Sequence, residues 1–126
     1  AVIIAICQPE RQCTALDSNQ KKIRFIKQIS SELGLSNMQP LASRIEAHEA
    51  SYDVVTSRAF ASLIDFVEAA QPRLADNGYL CAMKGKAPSD EELQALDNDW
   101  HIKTIKLKVP RLHDSRHLIE MSAKNV

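Results

Sequence analysis

Glycine is scarce in this chain, with three among 126 residues, and none falls in a spacing that would cradle a phosphate. Lys84-Gly85-Lys86 lacks both the glycine spacing and the Lys-Ser/Thr ending of a phosphate loop. Cysteine is equally scarce. Cys7, Cys13 and Cys81 are odd in number, lie inside apolar runs and show no CxxC spacing, which argues against a disulfide frame or a zinc site. They are expected to be buried thiols of a reducing compartment, by default the cytoplasm. His48, His101, His113 and His117 show no HExxH or other close ligand spacing, so no metal is expected. There is no excess charge of either sign: sixteen basic and sixteen acidic residues cancel. No global field therefore draws the chain to a polyanion, and any such site must be a local patch. Long apolar runs are missing too. The strongest, AVIIAIC at residues 1–7, has no basic region or cleavage site and is far too short to span a bilayer, so no membrane partner is expected.

What is present alternates between strand and helix patterns. The length suits one domain with a respectable core, yet is short for a complete α/β enzyme. AVIIAIC starts at full hydrophobicity without a cap and stops at Gln8-Pro9, like the tail of a helix, which leads us to expect a fragment. Arg11 to Leu16 reads as a strand. Ser18 or Asn19 can cap a helix with Ile23, Ile26, Ile29 or Ser30, and Leu33 on one face, ended by Gly34. Met38 to Ala42 and Tyr52 to Ser57 read as further strands. Ser62 with Asp65 forms a capping box for a helix burying Leu63, Val67, Ala70 and Leu74, and Pro72 should bend it or tighten its last turn. Asn77-Gly78 turns into a strand over Tyr79 to Met83, and Ser89 with Glu92 caps a short acidic helix ending near Leu96. Strands over Trp100 to Val109 and His117 to Ala123 close the chain. This order predicts an α/β fold, a mostly parallel sheet with an antiparallel edge pair.

Asp17 is the first candidate for chemistry. It stands where a strand ends and a basic helix begins, and an acidic side chain there can accept hydrogen bonds from both ribose hydroxyls of a nucleotide-like cofactor. Asp17 and Ser18 can equally serve as a turn and a helix cap.

The segments LDSNQKKIRFI, SRIEAH, YDVVTSRAFASL, YLCAMKGKAPSDE and SRHLIEMSA, in this order, resemble the bacterial RsmG (GidB) family over essentially the whole chain. The resemblance implies a Rossmann-like class I methyltransferase fold dependent on S-adenosylmethionine, acting on guanine N7 in 16S ribosomal RNA of the small subunit. It implies that Asp17 and Ser18 hold the cofactor ribose. Ile45 and Glu46 would lie against the adenine, and Arg58 beside the methionine end. Unaided by the family, Glu46 is as well explained as a helix-start carboxylate, and Arg58 follows the buried-looking VVTS run where sites occur in parallel sheets. Candidates for RNA contact are Lys22, Arg24, Arg44, Lys84 and Arg116, each of which can also be an ordinary solvated cation. No residue is assigned as acid or base, because N7 offers a lone pair and loses no proton.

The resemblance also implies a first strand and a GxGxPG loop before AVIIAIC, and neither pattern occurs in these residues. Residues 1–126 are thus expected to be a partial methyltransferase domain truncated at the first strand. Without that strand, a gap of roughly 10 Å would separate the strands ending at Asp17 and Ser57, with exposed edges that invite self-association. The fragment would bind cofactor poorly and be inactive. Other readings are a nicotinamide-dependent oxidoreductase, a methyltransferase of another substrate, and a noncatalytic ribosome-binding or regulatory module.

Overall fold

A computed structural model describes residues 2–58, 62–108 and 116–124. The chain divides into two compact units, Ala1–His48 and Glu49–Val126.

The first unit holds α1 (Val2–Cys7), β1 (Cys13–Asp17), α2 (Gln20–Glu32) and β2 (Met38–Ala42). β1 and β2 pair in parallel, with Cys13 opposite Met38 and Asp17 opposite Ala42. Ala5, Ala15 and Met38 form the buried centre, with Val2, Cys13, Ile26 and Leu35 packed around it. Buried Asn37 ties the layer together. Its Nδ2 donates to the carbonyls of Ala5, Gln8 and Arg11 at 3.1, 3.1 and 2.8 Å, serving an α1 carbonyl left without an intrahelical partner. Because Arg11 is held in this turn, β1 starts at Cys13 and not at Arg11. Asn19, the second of the two expected caps, accepts from the N–H groups of Lys21 and Lys22. α2 buries Ile23 and Ser30. Leu33, expected on that face, is the C-cap and is exposed, since Gly34 at φ 64° turns the chain away there.

The second unit holds β3 (Tyr52–Ser57), α3 (Leu63–Ala70), β4 (Leu74–Lys84), α4 (Asp90–Leu96), β5 (Trp100–Leu107) and β6 (Arg116–Ala123). Ser62 Oγ caps α3 by accepting from Asp65 N–H at 3.1 Å. Pro72 tightens the end of that helix into a 3-10 turn, Gln71–Arg73. Leu74, expected on the helix, instead opens β4. Asn77 at φ 63° lies within β4, and the β3–β4 pairing slips a register between Tyr52 and Val54. Gly78 is required by close packing: a Cβ there would meet Asp53 O and Leu74 Cδ1 at 2.7 Å.

The strand order is β3-β4-β6-β5, with β3 parallel to β4 and β6 antiparallel to both its neighbours. Leu80 and Ala82, opposite Met121 and Ile119, are buried with Leu63, Phe66, Val67, Leu96 and Trp100. Val54, Tyr79 and Met83, on the other face of the sheet, are exposed. The parallel pairs and the antiparallel β6–β5 pair follow the sequence expectation, and the described strands form two sheets, β1 with β2 and β3 to β6, in keeping with the break expected between the strands ending at Asp17 and Ser57. Val109, expected at the end of a strand, lies outside the described residues, as do residues 59–61 of TSRAFA. The expectation of buried thiols fails at Cys7, which is exposed at the end of α1. Cys13 and Cys81 are half-buried, and all three are free.

Candidate functional site

β1 ends at Asp17, the residue that enters the turn into α2. One carboxylate oxygen, Oδ1, accepts from Asn19 N–H at 2.8 Å, while Oδ2 lies 4.0 Å from Lys22 Nζ. Asp17 therefore acts as the turn residue, and among the described residues its second oxygen faces only a long, largely exposed ion pair. Ser18 is exposed beside it. The next strand ends in register: Asp17 pairs with Ala42, and Ser43 N–H donates to Asp17 O at 3.0 Å. The short 3-10 turn Ile45–Ala47 follows directly, with Ile45 half-buried and Glu46 exposed. Glu46 Oε2 stands 3.8 Å from Arg44 Nε. Parallel pairing thus gathers Asp17, Ser18, Arg44, Ile45 and Glu46 at one carboxyl edge, although 25 residues of chain between Ser18 and Arg44 separate their two groups.

In the second unit Arg58 follows Ser57, the last residue of β3, and is exposed. With Ser57, Ser62, Phe66, Ala82, Met83 and Lys84 it lines a cavity of about 10 Å³ at the carboxyl ends of β3 and β4, room for about one water. Lys84, at the end of β4, is largely covered: Nζ lies 3.8 Å from Glu92 Oε2, with the side chains 21% and 26% exposed. The same oxygen accepts from Leu63 N–H at 3.1 Å. Glu92 thereby serves the start of α3, while its own helix is capped by Ser89 Oγ at 3.2 Å. Arg116 opens β6 and is exposed. Next to it, His117 Nδ1 lies 3.1 Å from Gly85 O, joining β6 to the loop after β4.

Sequence reasoning missed Glu92 and His117. Glu92 was read as a partner for its own helix, and no local pattern signals that it reaches a residue 29 positions away. Of the RNA candidates, Arg24 alone has no side-chain hydrogen bond or ion pair among the described residues; Lys22, Arg44 and Lys84 carry carboxylate partners, and Arg116 is also engaged. No group of three or more metal-binding side chains occurs among the described residues. Among the described residues no helix is long and apolar enough to cross a membrane.

Residues 1–119 match the family GidB, rRNA small subunit methyltransferase G. The chain belongs to this family. It is 88% identical over 126 residues to the ribosomal RNA small subunit methyltransferase G of Psychrobacter cryohalolentis, covering 100% of this chain and 53% of that protein. The chain spans about half the length of the curated relatives it matches. An rRNA methylase from Streptococcus thermophilus has a similar structure, with TM-score 0.64 at 14% identity, covering 89% of this chain and 73% of that one. Coclaurine N-methyltransferase bound to N-methylheliamine and SAH gives TM-score 0.65 at 12% identity, over 84% of this chain and 42% of the other. At such identities the likeness establishes the fold, which is the Rossmann-like class I methyltransferase fold.

Proposed function

We propose that the whole protein to which these residues belong methylates guanine N7 of 16S ribosomal RNA in the small ribosomal subunit, using S-adenosylmethionine, in the cytoplasm. One observation carries the cofactor site: the register that joins Asp17 to Ala42 and Ser43 and sets the Ile45–Glu46 turn at the same edge. The residues suit the group. Asp17 offers a carboxylate oxygen for the ribose hydroxyls, and Ser18 adds a hydroxyl. Ile45 offers a backbone N–H and an apolar side chain to adenine, and Glu46 a carboxylate to its exocyclic amine. Arg58 is assigned to the methionine end. When bound, the cofactor supplies an electrophilic methyl group on a sulfonium.

The chain's own residues need only bind and orient. Guanine N7 presents a lone pair with no proton to remove, so no general base is required. Positioning can supply about 7–11 kcal/mol of a barrier in favourable cases. Positive charge develops on the base, so Arg58 belongs at a carboxylate or phosphate and away from N7.

Calorimetry with S-adenosylmethionine tests the reading. The whole protein should bind, Asp17→Ala and Glu46→Ala should each weaken binding about tenfold or more, and the 126-residue chain alone should bind poorly. Undiminished affinity in both variants would sink the cofactor assignment.

A further inference from the structure

One carboxylate oxygen of the second unit has two tasks: Glu92 Oε2 accepts from Leu63 N–H at 3.1 Å and lies 3.8 Å from Lys84 Nζ. Both side chains leave fixed backbone. Ser89 Oγ accepts from Glu92 N–H at 3.2 Å, which holds the turn of α4 that carries the carboxylate. Lys84 pairs with His117 across the β4–β6 ladder, and His117 Nδ1 lies 3.1 Å from the carbonyl of the next residue, Gly85. Lys84 lines one small cavity with Ser57, Arg58 and Ser62, at the carboxyl ends of β3 and β4. Ligands bind at that end of sheets of this class.

Serving the start of α3 does not by itself require a charge, since a neutral amide oxygen can accept from Leu63 N–H. A carboxylate at a mouth that receives RNA also repels phosphates. Lys84 accounts for the charge. Its ammonium is a point charge on a flexible stem, and one left loose beside Arg58 could swing toward the reacting base. Positive charge passes from the sulfonium to guanine during transfer, so an ammonium near N7 opposes the step. An ammonium tethered to one side instead offers its remaining N–H donors to a phosphate, at little further loss of freedom. We propose that Glu92 is a positioning residue for methyl transfer, holding the Lys84 ammonium where it meets a phosphate of the target strand and stays clear of N7. This rests on the ribosomal RNA reading above; the role of Glu92 is additional to it.

The test is steady-state methylation of unmethylated 16S ribosomal RNA by the whole protein, comparing the parent with Glu92→Gln, Lys84→Met and the double variant. The glutamine keeps an acceptor for Leu63 N–H and removes the charge facing Lys84. Glu92→Gln should lower kcat about tenfold. Its KM for RNA should stay level or fall, because the lysine keeps its attraction for phosphate and one repelling charge is gone. A general defect of the fold would instead raise KM or weaken S-adenosylmethionine binding in calorimetry, and either result would overturn the positioning role. Because Glu92 acts through Lys84, the double variant should be no slower than Lys84→Met alone; losses that multiply would overturn the role too. Parental kcat in Glu92→Gln would leave Glu92 as a helix cap, with the ribosomal RNA reading intact. A parent that does not methylate the RNA would overturn that reading and this inference together.

Discussion

Cys81 shows how one position combines a local and a distant influence. Burial and then the Glu120 carboxylate, its antiparallel partner on β6, push the thiol up from its ordinary 9.0. Both act in the same direction because each disfavours the thiolate. The folded chain therefore holds this proton more tightly than the unfolded chain. The resulting stability is present below pH 9.0 and is lost as pH rises through the higher folded value. Alkylation of Cys81 by iodoacetamide should accordingly show a midpoint above 9.0, and Glu120→Gln should move it down. A midpoint at or below the ordinary value would contradict this account. Asp17 illustrates the reverse order of legibility. Its position at a strand end was readable from the sequence, and so was its turn-forming role, because an Asx turn involves residues two apart. Its nearness to Ser43 was not, because that contact depends on which strand lies beside β1.

Helices and strands were largely legible because their causes are local. Ser62 and Ser89 cap α3 and α4, Gly34 ends the α2 region, and Met38–Ala42 and Tyr52–Ser57 are strands over the expected residues. The departures lie where another element intervenes: Leu74 pairs with Tyr52 and becomes strand, and the Glu92 carboxylate leaves its own helix for α3. That carboxylate joins α4, the end of β4 and the start of α3 at one oxygen, with Lys84 and Glu92 each about a quarter exposed. Glu92→Ala should destabilise the chain by about 1.5–3 kcal/mol, the range for hydrogen bonds to charged groups. Glu92→Gln, which keeps an acceptor for Leu63 N–H but removes the charge, should cost less. Urea unfolding of the two variants checks this. Equal losses would show that the hydrogen bond to Leu63 contributes little.

At the scale of the whole molecule the sheet edges differ in kind. β2 and β5 carry Pro40 and the pair Lys103 and Lys106, residues that discourage further strand pairing. β1 and β3, CTALD and YDVVTS, contain neither lysine nor proline, and each has a hydrogen-bonded neighbour on one side only among the described residues. Unguarded edges of this kind seek a partner strand. The 126-residue chain is therefore expected to self-associate as its concentration rises in sedimentation velocity, with Val54→Lys on β3 reducing the effect. A monomer across the accessible range would refute it. The sequence by itself determined the family, the α/β class, the caps and most element boundaries, because these rest on motifs and on interactions spanning a few residues. Only the tertiary structure decided that Asp17 and the Ile45–Glu46 turn share an edge, that Lys84 is covered by Glu92 and that Phe25 is bare. Each of those outcomes depends on which distant segment packs beside a residue, and periodicity along the chain carries no record of that neighbour.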